Sequence, residues 1–161
     1  FDLGFGDVIV PHPERMVYPS LLDMGEINLW AYSRESIIAE KFQAMLYLAQ
    51  ANSRMKDFFD ICMLASTYDF DGRVLFEAIQ QTIAKRATPL ETNPIIFDAA
   101  FSGMTEKKAQ WNAFCKRIHH DELTFDGVLI ILRKMLGPIY QAILADSEFF
   151  GVWKHQTLNW E

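Results

Sequence analysis

Residues 33–60 read SRESIIAEKFQAMLYLAQANSRMKDFFD, and the periodicity of this stretch decides the fold class. Ser33 is a fitting helix N-cap, and Ile37, Ile38, Phe42, Met45, Leu46 and Ala49 recur behind it at helical spacing. The pattern predicts a helix to about Gln50. Asn52 or Ser53 can cap a second helix over about 54–68, with Phe58, Ile61, Cys62 and Ala65 as its apolar face. Lys41 stands inside the first stripe, sharing a face with Ile37, Ile38 and Met45. A lysine so placed snorkels to water, pairs with an acid, or faces a cleft, where its compact ammonium would suit the polyphosphate of a nucleotide. On the second helix Asp57 and Asp60, at i and i+3, put two carboxylates on one face, and Lys56 lies four residues before Asp60. Two readings stay open for this group: acids complementing the helix N-terminus, or carboxylates directed at a site.

Outward from this pair, Phe1–Val10 (FDLGFGDVIV) reads as a strand interrupted by glycines and ended by Pro11 and Pro13. Ile27–Tyr32 reads as a second short strand. Asp2 and Asp7 would face opposite sides of an ideal strand, unless a bulge at Gly4 or Gly6 brings them together. The plainer alternative is a wet-face acid and a turn residue. The chain starts inside this strand without a methionine, which reads as a piece of a longer polypeptide. Beyond residue 68 the pattern is helical. Helices are expected over Asp71–Arg86, capped near Asp71; over Asn93–Phe101, with Pro94 in the first turn; over Thr105–His119, capped by Thr105; and over Phe125–Asp146, kinked at Pro138. The tail, Phe149–Glu161, carries Trp153 and Trp160 and is expected to dock as a last helical turn. The fold class is α+β, mainly α: a β-sheet region over 1–33, then a helical domain over 34–161.

Composition narrows the function classes. Half of the residues are hydrophobic (50%) and 22% are charged, which excludes a disordered chain. A net charge of -6 excludes a whole-surface basic field, so any nucleic-acid contact must be local. Lys107, Lys108, Lys116 and Arg117, with His119 and His120 around Trp111, form one candidate RNA-contacting patch. The alternative is a solvated helix with a core tryptophan. Cys62 and Cys115 read as buried thiols of a reducing cytosol. No stretch is read as reaching the ~18 apolar residues of a membrane span, and no signal peptide is found. A cytoplasmic protein is expected.

Three segments together resemble one family. They are Ala39-Glu40-Lys41 followed by Ser53–Asp60 (SRMKDFFD), the opening Asp2–Asp7 (DLGFGD), and Gln110–Phe114 (QWNAF). In that order they resemble the AbiEii/AbiGii family of nucleotidyltransferase toxins, over residues 1 to about 117. The resemblance implies a nucleotidyltransferase sheet followed by a helical bundle. It implies Lys41 against the nucleotide triphosphate, Asp60 as the late catalytic aspartate with Asp57 beside it, and Asp2 as the third carboxylate and metal ligand. Arg54 and Lys56 would line the nucleotide or acceptor side. It further implies Mg2+ and a nucleoside triphosphate, an RNA acceptor such as the tRNA 3′ end, growth arrest, a genetically paired antitoxin and no membrane. The family's first motif, a Gly-Gly or Gly-Ser turn followed by an Asp-x-Asp pair, is not found in the sequence. The chain is accordingly expected to be N-terminally truncated and inactive by itself. The competing expectations are a non-catalytic helical module that binds RNA or protein, and an inert remnant.

Overall fold

Ser33 begins the helical part as expected: its Oγ accepts a hydrogen bond from the Ser36 amide at 3.1 Å and opens helix α1, Arg34–Leu48. The computed structural model describes residues 10–18 and 27–161. The strand expected over Phe1–Val10, with Asp2 and Asp7, lies outside the described residues except at Val10. There the amide donates to Ser36 Oγ and the carbonyl accepts from Ser33 and Ser36, which ties the incoming chain to the first turn of α1.

Strand β1, Glu14–Tyr18, pairs antiparallel with β2, Ile27–Ala31, Glu14 lying opposite Ala31 and Tyr18 opposite Ile27. β2 is the strand read from the sequence. β1 was missed because Pro11 and Pro13 were read only as a strand end, whereas pairing begins immediately after Pro13, where amide donors resume.

The remaining helices are α2 (Met55–Thr67), α3 (Gly72–Lys85), α4 (Ala99–Gly103), α5 (Thr105–Ile118) and α6 (Phe125–Leu144). Their caps amend the expectations. Asp71 caps α3 through the amides of Arg73 and Val74. At α2 neither Asn52 nor Ser53 is the cap; Arg54 holds that position without a side-chain bond, and Asn52 Oδ1 instead accepts from the Arg54 amide at 2.8 Å. Thr105 is the first residue of α5, preceded by Met104, and does not cap it. The helix expected over Asn93–Phe101 is two pieces, a single 3-10 turn at Ile95–Phe97 and then α4. The break falls at Asp98, whose side chain accepts from the Ala100 amide and restarts the backbone. α6 continues through Pro138 to Leu144.

The tail corrects the sequence reading most. It is a hairpin, β4 (Val152–Lys154) and β5 (Asn159–Trp160), added to the two-residue strand β3 (Phe70–Asp71) in the order β3-β4-β5. Gly151 at φ 140° and Leu158 at φ 49° bend the chain into it. Extended backbone places Trp153 and Trp160 as cross-strand partners, rings 5.5 Å apart. Trp153 is fully buried and donates its indole N–H to the Ala65 carbonyl at the end of α2, while Trp160 donates to the Met135 carbonyl of α6. The hairpin therefore clasps two helices.

The core lies where α2 meets α6 and α5, and α1 meets α3. Phe125 is its aromatic centre, edge-on to Phe58 at 5.3 Å and stacked with Trp111 at 5.2 Å. Contrary to the sequence reading, α6 is long and apolar enough by length and composition to cross a membrane. Its apolar face, including Leu132, Met135, Leu136, Ile139 and Tyr140, is buried against the other helices. The two cysteines are buried and unbridged, as expected.

Candidate functional site

The turn of residues 49–51 returns the chain so that α2 packs on α1, and this sets three charged side chains on one point. Lys41 Nζ of α1 lies 2.7 Å from Asp57 Oδ1 and 2.8 Å from Asp60 Oδ2 of α2. The i,i+3 spacing of the carboxylates makes the double contact possible. Lys56 Nζ joins Asp60 at 2.5 Å, and Arg54 Nε stands 2.9 Å from Asp57 Oδ2. That last approach is close enough for ion pairing but lies off the hydrogen-bonding line, and Oδ2 makes no hydrogen bond although Asp57 is 3% exposed. Behind Lys41, Glu40 pairs with Arg86.

Burial is the largest single influence on Lys41 and disfavours its charge, but the hydrogen bonds and charges of Asp57 and Asp60 together outweigh it, and its pKa is raised. Lys41 is an ammonium at any physiological pH. Of the open readings of Lys41, the structure selects pairing with acids while leaving its side chain 20% exposed.

A pocket of about 480 Å3 adjoins this cluster. Ser53, Arg54, Lys56 and Asp57 line it from the start of α2, and Gln110, Phe114 and Arg117 from α5. No single stretch of sequence announces this wall, because its two sides lie more than fifty residues apart. QWNAF and the RNA-contact candidate Arg117 were legible singly; their meeting with Arg54 and Lys56 was not.

The basic patch of α5 does not act as one surface. Lys107 is 1% exposed and donates to the Asn52 carbonyl at 2.8 Å, so its ammonium faces the interior and is withdrawn from any RNA contact. Lys108, Lys116 and Arg117 are exposed. His120 pairs with Glu122, and His119 ends α5 in the left-handed conformation. Trp111 is a core residue, 1% exposed.

Magnesium does not fit the described residues by themselves. Among them no three His, Cys, Asp or Glu side chains group to hold a metal ion, and Asp57 and Asp60 are already engaged by cations. Asp69-Phe70-Asp71 has the Asp-x-Asp spacing, but Asp69 is held by Lys154 and His155 and Asp71 caps α3. Asp2, the metal ligand expected from the resemblance, lies outside the described residues.

Residues 1–131 match the sequence model of the family described as Nucleotidyl transferase AbiEii toxin, Type IV TA system. The chain belongs to the AbiEii family. No curated protein and no solved structure matches it. The AbiEii match contains α1, α2 and α5, and with them every residue of the Lys41 cluster and the adjoining pocket; it stops inside α6.

Proposed function

We propose that this AbiEii-family chain carries the nucleotide-holding side of a toxin nucleotidyltransferase that moves a nucleoside monophosphate from a nucleoside triphosphate to an RNA acceptor, such as the tRNA 3′ end. The observation that supports it is the clasp on Lys41. Two of the three ammonium protons are directed at Asp57 and Asp60, and the third is left for an incoming phosphate oxygen. Three cations, Lys41, Arg54 and Lys56, share two carboxylates, so the cluster keeps one positive charge in excess. A positive centre fixed by its neighbours costs no reorganisation when a polyphosphate arrives.

In nucleotidyl transfer the acceptor hydroxyl attacks the α-phosphorus in line. The bond to the bridging oxygen breaks, pyrophosphate departs, and the hydroxyl proton is lost. In this reading Lys41 neutralises the leaving polyphosphate, and Asp57 and Asp60 position it. Arg54 and Lys56 line the nucleotide and acceptor side. Asp2 is assigned as a further catalytic carboxylate on the opening stretch. A type IV antitoxin is the implied partner.

The test is nucleotide binding and transfer by the full-length protein. Magnesium with a nucleoside triphosphate raises the melting temperature of the wild type, because a ligand of the native state stabilises it by mass action. Lys41→Ala abolishes that rise and the transfer of labelled nucleotide to RNA. A wild type indifferent to all four triphosphates, or a Lys41→Ala variant that transfers normally, refutes the reading.

A further inference from the structure

We propose that Lys107 is a positioning residue: by holding the Asn52 carbonyl it fixes the turn between α1 and α2, and so sets Asp57 and Asp60 together on Lys41. The service this does to a polyphosphate rests on the nucleotidyl-transfer reading; the contact itself does not.

The clasp on Lys41 tolerates little error. One residue of slip along a helix axis is about 1.5 Å. Added to contacts of 2.7 and 2.8 Å, it carries a carboxylate out of hydrogen-bonding range. The turn that must hold this register has weak means of its own. None of residues 49–51 is buried, and the turn opens on Ala49 at φ 45°, a conformation that disfavours a residue with a Cβ. Anchorage passes to the next residue, Asn52, which is fully buried. Its carbonyl accepts from Lys107 Nζ at 2.8 Å, and its Oδ1 accepts from the Arg54 amide at 2.8 Å. Arg54 Nε then stands 2.9 Å from Asp57 Oδ2, and Asp57 Oδ1 stands 2.7 Å from Lys41 Nζ. Polar contacts thus run without a gap from the inner side of α5 to the clasp.

Packing does not call for a lysine at this place. Lys107 is 1% exposed, and a methionine would occupy similar space without desolvating an amine. What the lysine adds is a donor for the turn. Its amine is further held by Gln110 Oε1 at 3.5 Å and lies 5.7 Å over the Phe101 ring. Gln110 begins the QWNAF segment and follows Lys107 by three positions on α5, so that segment supports the same amine.

The test reads the clasp on Lys41 itself. In the wild type two acids hold Lys41 as an ammonium, so a reagent that acylates the neutral amine modifies it slowly. The full-length protein is labelled briefly with such a reagent in the absence of nucleotide, and each lysine is followed by mass spectrometry. Lys107→Met is expected to raise the rate at Lys41 about five-fold or more, with the exposed Lys85 and Lys134 within about two-fold of wild type. Its affinity for nucleoside triphosphates with magnesium is expected to fall about ten-fold. Should Lys107→Met fail to fold, Asn52→Ala, which keeps the carbonyl and removes the contact to the Arg54 amide, carries the same expectation and the same refutation. A lowered melting temperature with Lys41 modified at the wild-type rate overturns the proposal, since the residue at 107 would then only fill the interior. A comparable rise in Tyr140→Phe, which removes a hydrogen bond to the Glu91 carbonyl away from the clasp, overturns it too, because general loosening would explain the effect. A rise at Lys41 beside unchanged triphosphate affinity supports the positioning role of Lys107 and refutes instead the polyphosphate role of Lys41.

Discussion

Asp57 and Asp60 lie three positions apart and differ in how much water reaches them: the side chains are 4% and 21% exposed. Removing the carboxylate of Asp57 strips Arg54 of its partner and leaves Lys41 half-paired in a poorly solvated place. Asp57→Ala is expected to cost about 2 kcal/mol or more in urea unfolding. Asp60→Ala, at a wetter position, should cost about 1 kcal/mol or less. Equal costs would show that the two acids are equally solvated and that the clasp is not built around Asp57. The raised pKa of Lys41 gives a second expectation at this scale. A folded-state pKa above the unfolded one means stabilisation that is complete below about pH 10.4 and is lost as the pH climbs through the folded value. The stability gap between wild type and Lys41→Met should therefore be flat from about pH 6 to about pH 9 and close only in stronger base. A gap already closing near neutrality would contradict an ammonium held by two acids.

The terminal hairpin carries its own device. Asp69 receives the His155 backbone N–H at 3.0 Å and the His155 ring at 2.7 Å, with Lys154 at 3.0 Å, and these hold its carboxyl below the usual carboxylate range. A depressed carboxyl pKa contributes stability that is present above about pH 3.9 and is lost as the pH falls through the folded value. Amide exchange in β4 should thus be slower in wild type than in Asp69→Asn at about pH 5, with the difference vanishing in strong acid. A difference that grows on acidification would mean the contact works with the opposite sign. The hairpin also shows why this element escaped the sequence reading. Thirteen residues with two tryptophans fit a helical turn or a strand pair equally well; the partner that decides, β3, is two residues long and lies some eighty positions upstream.

Across the whole molecule the core extends beyond the family match. The AbiEii match ends at residue 131, yet Leu132, Met135, Leu136, Ile139, Tyr140 and Trp153 are each buried to 3% exposure or less. Deleting residues 149–161 removes Trp153 from under α2 and Trp160 from α6. Loss of one fully buried large aromatic costs about 3–5 kcal/mol, against a total stability of roughly 5–15 kcal/mol for a domain. The truncated protein should lose most of its urea stability and bind a dye for exposed apolar surface. Unchanged stability would show the hairpin to be an appendage.

The sequence by itself determined the helix pair of α1 and α2, the Ser33 and Asp71 caps, the shared face of Asp57 and Asp60, and the family. These are local matters: a helix repeats every 3.6 residues, caps act within three, and motif spacing is linear. Only the tertiary structure decided that Lys41 reaches both carboxylates, that Lys107 turns inward while Arg117 faces a pocket with Arg54 and Lys56, and that the tail is strand. Each of those depends on which distant segment supplies the partner for a charge, an amide or an indole, and chain periodicity contains no information about partners far away along the sequence.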